Sequence, residues 1–224
     1  MKFSSLLIFS FLLFAIISCE EESVTTTGSD NITGSDNIVS ELRDLPPFHQ
    51  IKASGFLDVS ISKGPVQEVR VRANDNILSK IITEVQNNVL DVKLENGSYD
   101  NVTISIELIL PDLTAVSHEG SGTINITDME NLSELSLSRK GAGDSNLSGS
   151  ASSLSIKIEG AGDVNGFSFT GADSNVEIIG SGDVEITATD NLTVSISGSG
   201  NVSYKGSPQV TSNISGSGSL IDAN

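Results

Sequence analysis

Apolar and polar residues alternate along most of the chain from residue 48 onward. The clearest run spans residues 102–110, where every second position is Val, Ile or Leu. Strict alternation is typical of β-strands that bury one face and expose the other. The dipeptides Gly64-Pro65 and Asn96-Gly97 mark turns between such segments. The pattern therefore predicts a series of strands over residues 48–119.

One stretch in this half has the spacing of a helix. Ile77, Ile81 and Val85 lie four residues apart, which places them on one face of an α-helix. Asn74 or Asp75 precedes them and is a suitable N-cap, because a short polar side chain can accept a hydrogen bond from the first turn. The spacing predicts one short helix across these residues.

From residue 120 the sequence repeats itself. The tripeptide Gly-(Ser/Ala)-Gly recurs six times at intervals of 18–21 residues, and each full unit then carries two short alternating segments. The tripeptides begin at Gly120, Gly141, Gly160, Gly180, Gly198 and Gly216. A fixed period is typical of solenoids, and glycine tolerates the positive φ that sharp corners need. The sequence predicts an all-β protein, a parallel β-solenoid, with an irregular N-terminal half at 48–119 as its cap and repeats at 120–224.

These units resemble a known family. The repeated Gly-(Ser/Ala)-Gly-(Asp/Asn)-Val is accompanied by the opening Phe48-His49-Gln50-Ile51, the join Leu110-Pro111-Asp112-Leu113 and the late Gly206-Ser207-Pro208. Together they resemble the "putative auto-transporter adhesin" family with the head GIN domain, over residues 48–224. The resemblance implies a right-handed parallel β-helix in secreted or lipid-anchored bacterial proteins, common in Bacteroidetes. It brings no catalytic motif. One unit departs from its neighbours by carrying Ser145 where they have Val.

The N-terminus predicts an export signal. In residues 1–18, Lys2 precedes an apolar stretch that is shorter than the roughly 20 residues of a membrane-spanning helix. Ile16-Ile17-Ser18 then leads into Cys19, the one cysteine of the chain. This resembles the bacterial lipoprotein signal and implies that Cys19 becomes the lipidated mature N-terminus. The alternative is an ordinary secreted protein with an incidental cysteine.

Residues 19–47 predict a flexible acidic tether. The segment starts with three Glu residues at 20–22, contains TGSDNI twice and is too polar to order itself. Acidic residues directly after the acylated cysteine resemble the surface-export signal of Bacteroidetes lipoproteins. That resemblance favours the cell surface over the periplasmic face of the outer membrane, and a merely solvated tether is the alternative.

The composition excludes several classes of function. The formal net charge is −17, with 12 Lys and Arg against 29 Asp and Glu. Because nucleic-acid binding needs cations that neutralise phosphates, no nucleic-acid partner is expected. The chain has no Trp, two His and one Cys. Stacking platforms, cysteine-rich metal sites and histidine-based catalysis are therefore disfavoured.

A row of polar residues follows the corners. In a solenoid Asp144, Asp163 and Asp183 would stack about 5 Å apart. Adjacent carboxylates repel unless a cation lies between them, which makes these three residues weak candidates for Ca²⁺. The alternative is that each hydrogen-bonds the backbone of its own corner. The row also includes Thr123, Asn201 and Ser219. No other cofactor is expected.

The sequence gives little support for a catalytic site. Stacked carboxylates have the spacing of a glycoside hydrolase, but the repeats offer few basic groups and no aromatic platform. His118 and Glu119 are adjacent and form a candidate acid–base pair, although a surface histidine at a strand edge is the expected state. Arg139-Lys140 is the only basic doublet of the repeats and is expected in a solvated turn or a partner contact.

The sequence therefore predicts a lipid-anchored, non-enzymatic binding or structural protein of the cell envelope, an adhesin whose partner is a glycan or a protein. A polysaccharide-acting enzyme, or a Ca²⁺-assisted glycan binder on a β-helix, is one alternative. A periplasmic scaffold or sensing module is another. Residues 216–224 are too short to complete a coil, which predicts an open edge there and either self-association or pairing with a strand of a partner.

Overall fold

The computed structural model describes residues 31–224. They form a nearly all-β protein, a β-solenoid of about five turns with one short helix, so the predicted fold class is confirmed. Within these residues, no helix is long and apolar enough to cross a membrane.

Ten strands and one helical turn make up the half that precedes the repeats. They are β1 (Asn31–Thr33), β2 (Ile38–Leu42), β3 (Gln50–Gly55), β4 (Asp58–Lys63), β5 (Glu68–Asn74), α1 (Asp75–Leu78), β6 (Ile81–Gln86), β7 (Val89–Leu94), β8 (Ser98–Asp100), β9 (Ile104–Leu110) and β10 (Ala115–Gly120). Strands β3 and β4 pair in parallel with β10 and β11 and so form a coil that precedes the repeats. Antiparallel pairs, β2 with β5, β5 with β9 and β6 with β7, close this end of the solenoid. The irregular half therefore lies at the end of the solenoid that precedes the repeats.

The repeats form long strands that pass around the solenoid. Strand β11 pairs with β4 through its first residues and with β10 through its last ones, so it spans two faces. Each coil pairs in parallel with the next, and the corner glycines lie in register from one coil to the next. These strands are β11 (Ile124–Gly141), β12 (Ser145–Gly160), β13 (Val164–Gly180), β14 (Val184–Gly198), β15 (Val202–Lys205), β16 (Gln209–Gly216) and β17 (Leu220–Asp222).

Alternate residues of every coil point into the lumen and form the core. Ile158, Ile178 and Ile196 lie in register in three successive coils and are fully buried. Burying an Ile or Leu side chain contributes about 1.5–3 kcal/mol, and the column repeats that contribution in each coil. The lumen is thus a continuous apolar stack, and the polar positions of the same strands lie on the outside.

The predicted helix is wrong beyond its first turn. Helix α1 ends at Leu78, and Ile81 and Val85 lie in strand β6, which forms a hairpin with β7. Asn87 and Asn88 make the connection with φ of 51° and 63°, values that asparagine tolerates in a two-residue hairpin turn. The hairpin pairs the backbone of both strands, whereas a helix would leave β7 without a partner on that side.

The predicted N-cap is right in its position but not in its hydrogen bond. Asn74 occupies the N-cap but makes no capping bond with its side chain. Its amide instead donates to the Ser35 carbonyl at 2.6 Å and accepts from the Thr103 backbone at 2.7 Å. The side chain therefore ties the residues before β2 to the loop before β9.

The predicted flexible tether at 19–47 is wrong for residues 31–42. Strand β1 pairs with β8 and strand β2 pairs with β5, so both are part of the folded domain. Ser35 and Asn37 donate hydrogen bonds to the Asp75 carboxylate at 2.6 and 2.9 Å. These bonds lower the pKa of Asp75. The predicted signal peptide at 1–18 and Cys19 lie outside the described residues.

Candidate functional site

The corners bring the backbones of successive coils into direct contact. Gly160 has a φ of 142°, and a Cβ there would lie 2.1 Å from the Gly141 carbonyl oxygen. At Gly182, the second glycine of a corner, a Cβ would lie 2.2 Å from the Gly162 oxygen. Both positions therefore require glycine, the first because of its conformation and the second because of the close approach.

The predicted row of carboxylates forms a hydrogen-bonded ladder. Asp144 Oδ1 accepts from the Asp163 backbone N–H at 3.0 Å, and Asp163 Oδ1 accepts from the Asp183 N–H at 2.8 Å. Asp183 Oδ1 continues the ladder to the Asn201 N–H at 2.7 Å. Each carboxylate thus bonds the corner of the following coil. The expectation that it bonds its own corner is therefore wrong for these three aspartates.

Bonds of the same kind occur beyond the three carboxylates in both directions along the solenoid. Asn201 Oδ1 accepts from the Ser219 N–H at 3.1 Å, and Asp58 Oδ1 accepts from the Thr123 N–H at 2.8 Å. Asp58 was not predicted from the sequence, because Leu57 replaces the second glycine of its corner and because the corner lies outside the period of the repeats. The available signal was Gly55 followed three residues later by Asp, as in the later units.

The ladder accounts for the aspartates without a metal ion. In the part of the chain that the structure describes, no group of three or more His, Cys, Asp or Glu side chains could hold a metal. The three carboxylates are exposed, and each directs one oxygen to a backbone N–H. Ca²⁺ binding by Asp144, Asp163 and Asp183 stays a prediction that this arrangement does not require.

His118 lies in the lumen, so the expected surface histidine is wrong. It is 1% exposed, and Nε2 donates to the Leu57 carbonyl at 3.1 Å. Burial, and after it the charge of Arg139, lowers its pKa to about 4. Glu119 lies on the opposite face of the strand and pairs with Lys140 at 2.8 Å. The candidate His–Glu acid–base pair is therefore not formed.

Arg139 is buried as well, and the expected solvated position holds only for its neighbour Lys140. The guanidinium donates through Nη2 to the Gly122 carbonyl at 2.9 Å. Arg139 follows His118 in the same lumen column and precedes Ile158. Burial lowers its pKa. Buried atoms without a hydrogen-bond partner include Arg139 Nη1, His118 Nδ1 and Ser145 Oγ. These residues fill the lumen and offer no exposed reactive group.

An uncharged polar surface lies on the outer face beside the ladder. We call it the amide patch, and it consists of Asn125, Asn146, Asn165, Thr127, Ser148 and Ser168. Asn165 Nδ2 donates to Asn146 Oδ1 at 2.9 Å, and Asn146 Nδ2 donates to Asn125 Oδ1 at 2.8 Å. The patch lines a shallow groove without a charged side chain. It stops at Glu185, which follows Asn165 in register.

The other outer face carries charged side chains that pair with one another. Lys157 Nζ lies 3.0 Å from Glu159 and 3.6 Å from Glu177 on the next coil. These contacts raise the pKa of Lys157, chiefly through the hydrogen bond to Glu159. Exposed ion pairs of this kind contribute little to stability. The amide patch is therefore uncharged, whereas the surface around Lys157 carries paired charges.

Solved bacterial structures share this fold. A "putative adhesin" from Bacteroides fragilis is 20% identical with a TM-score of 0.67, over 85% of this chain and 99% of that one. A "putative lipid binding protein" from Parabacteroides distasonis is 20% identical with a TM-score of 0.60, over 87% and 100%. A "putative adhesin" from Parabacteroides merdae is 20% identical with a TM-score of 0.55, over 88% and 100%. At this identity they show the fold.

The sequence comparisons assign the family. No curated protein matches the chain. The family model described as "Putative auto-transporter adhesin, head GIN domain" matches residues 47–208, which is most of the described solenoid. The match begins within one residue of the Phe48 opening and ends at Pro208, so the resemblance drawn from those motifs is confirmed. The chain belongs to the family described as "Putative auto-transporter adhesin, head GIN domain".

Proposed function

We propose that the chain is a lipid-anchored, non-enzymatic binding protein of the cell envelope. Its solenoid presents a rigid outer surface to a glycan or protein partner. One observation carries this proposal: the side chains that suggested chemistry in the sequence serve the fold instead. The aspartate ladder bonds backbone N–H groups, and His118 and Arg139 lie in the lumen. What remains for function is the outer surface, in agreement with an adhesin family.

The amide patch is the proposed contact surface. The chain has a formal net charge of −17, yet the six residues of the patch are uncharged. Asn146 and Asn165 each use one side-chain N–H for the bonds within the patch and keep the other, and Asn125 only accepts in these bonds, so the surface offers a row of hydrogen-bond donors. An uncharged partner rich in hydroxyl or carbonyl groups fits this surface better than a charged one, because it loses no hydration of an ion on binding.

The location rests on the N-terminal signal. Lipidation at Cys19 would attach the protein to the outer membrane, and the three Glu residues at 20–22 favour export to the cell surface. The folded domain begins by residue 31, so about twelve residues separate the anchor from the first strand. An extended chain of that length spans at most about 40 Å, which is enough to clear the lipid headgroups.

Protease treatment of intact cells tests the location. Added protease should remove the wild-type protein, and Cys19→Ala should move it to the soluble fraction. Full protection of the wild type, with release only in the variant, would place the protein on the periplasmic face and overturn the adhesin role.

Binding assays test the contact surface. Purified protein with Cys19→Ala is applied to immobilised neutral glycans, acidic glycans and matrix proteins. Asn146→Lys should weaken the best binding at least tenfold, whereas Thr193→Lys, an exposed substitution on the other face, should not. Equal loss in both variants would exclude the amide patch. The paired change Asp163→Asn with Asp183→Asn should leave binding intact, and polysaccharide turnover that this pair abolishes would establish an enzyme.

A further inference from the structure

Strand β16 is an open edge strand that exposes apolar side chains to solvent. Among the described residues it pairs only with β14, so the N–H and C=O groups of its other side have no strand partner. Val210 and Ile214 continue the lumen columns of Leu192 and Ile196. They are 40% and 39% exposed, whereas the residues they follow are 0% and 1% exposed. The lumen is thus open to water at this strand.

The edge lacks the charges that usually keep such strands apart. Natural edge strands are protected by charged side chains, proline or bulges. Strand β16 reads QVTSNISG and contains none of them. The edge strands at the opposite end do carry charge, with Glu41 in β2 and Glu84 in β6. In a chain with a net charge of −17, β16 is therefore a place where two copies can meet without facing carboxylates.

The sequence of β16 is complementary to itself in the antiparallel direction. Val210, Ser212 and Ile214 point along the lumen columns, and Thr211 and Asn213 lie between them on the outer face. A twofold axis through Ser212 places Val210 opposite Ile214 of a second copy, and Thr211 opposite Asn213. Each apolar residue then meets an apolar residue and each polar residue a polar one.

We propose that the chain forms a twofold-symmetric dimer through antiparallel pairing of β16 with β16 of a second copy, centred on Ser212. The pairing satisfies the free backbone groups and joins the two lumens into one apolar core. It closes at two copies because each β16 strand is then paired on both of its sides. Strand β17 does not extend it, because Asp222 would be brought into a buried position.

The dimer should be weak in solution. A single pair of eight-residue strands and a few apolar side chains form less than a standard interface of about 1,600 Å². Assembly should therefore depend on protein concentration. This inference does not depend on the proposed contact with a partner, since β16 lies at the end of the solenoid and the amide patch lies on its side.

Sedimentation equilibrium of residues 19–224 with Cys19→Ala tests the dimer. The mass should rise with concentration from one copy to two and no further. Ser212→Asp places two carboxylates at the axis and should raise the dissociation constant at least tenfold. Thr193→Asp adds the same charge one coil earlier on the outer face and should leave it unchanged. A monomer at every concentration, a larger assembly or equal dimerisation of both variants would overturn the proposal.

Cysteine cross-linking tests the register independently of any loss of stability. Residues directly opposite in an antiparallel pair have Cα atoms about 4.5–5.5 Å apart, within the range of a disulfide. In the Cys19→Ala background, Ser212→Cys should form a disulfide-linked dimer under mild oxidation. Val210→Cys and Ile214→Cys should link to each other when mixed but not to themselves. Self-linking of Val210→Cys, or no linking of Ser212→Cys, would overturn the proposed register.

Discussion

Acid should destabilise the solenoid through a single buried side chain, His118. Burial, and after it the charge of Arg139, lowers its pKa in the folded chain from 6.5 to about 4. The hydrogen bond to Leu57 and the charge of Asp58 act in the opposite direction and are weaker. Because a carbonyl can only accept, Nε2 carries the proton of the neutral ring. The folded lumen therefore favours the neutral imidazole.

The sign and size of the effect follow from the two pKa values. Below pH 6.5 His118 is protonated in the unfolded chain but stays neutral in the folded chain. Its contribution to stability is therefore complete above pH 6.5 and is lost as the pH falls towards about 4. Each pKa unit corresponds to about 1.4 kcal/mol. The gap from 6.5 to about 4 thus corresponds to a loss of about 3 kcal/mol in the free energy of unfolding.

Urea unfolding of the wild type and of His118→Gln at a series of pH values measures this contribution. Glutamine keeps an N–H that can reach the Leu57 carbonyl and does not titrate. The carboxylates titrate equally in both proteins, so the difference between the two free energies isolates the histidine. The difference should change by about 3 kcal/mol between pH 7 and pH 4, against the wild type at low pH. A difference that stays constant over this range would refute the reasoning.

Three further substitutions test the lumen, the corners and the ladder by urea unfolding. Arg139→Ile, which copies the residue of the later coils, should raise the free energy of unfolding by about 1–4 kcal/mol, and a loss would show that the guanidinium is well paired. Gly160→Ala should lower the free energy of unfolding by about 3 kcal/mol. Gly97→Ala should have little effect, because the added Cβ meets only a side chain at 3.1 Å. Similar values for both variants would contradict the corner geometry. Asp163→Asn should change the free energy of unfolding by no more than about 0.5 kcal/mol, because Asn201 already serves as a ladder acceptor. Asp163→Ala should lower it by about 1 kcal/mol. A large loss in both variants would indicate a role for the charge.

The solenoid was predictable because its two periods are written directly in the sequence. The 18–21-residue spacing of the corner glycines became the register of the coils, and alternation within each unit separated lumen from surface. The coil formed by β3 and β4 was not predictable in this way. Gly55 and Gly120 pair in the structure, but antiparallel strands are inserted between them and hide the period.

The wrong helix shows a limit of periodicity. A spacing of four residues is compatible with one face of a helix and also with one face of a strand, because four is a multiple of two. Ile81 and Val85 satisfied both patterns, and pairing with β7 decided between them. Residues 31–42 show a different limit. Their composition is polar, and their order comes from pairing with β5 and β8, which are distant in sequence.

The alternation of apolar and polar residues indicated that His118 and Arg139 are buried, but residues of these types are usually exposed. Val116 and Leu137 are apolar and precede them by two positions, so both polar residues fall on the lumen phase of their strands. Charged side chains are seldom fully buried, and that general tendency outweighed the phase of the alternation. The pairing of the two residues in one column could not be read from the sequence, since it requires the register between coils.

Residues at the same register position in successive coils form columns, and each kind of column has its own structural requirement. These requirements indicate where functional residues should be sought. Lumen columns must be apolar, corner columns must be glycine, and the ladder column must offer an acceptor to the next coil. Outer columns have no such requirement, because their side chains face water and their strands are already held by the backbone. A run of like residues in an outer column therefore needs another explanation. Three successive asparagines form such a run at Asn125, Asn146 and Asn165. The hydrogen bonds between them join one coil to the next, and the N–H groups that these bonds leave free are the part of the amide patch that we propose contacts a partner.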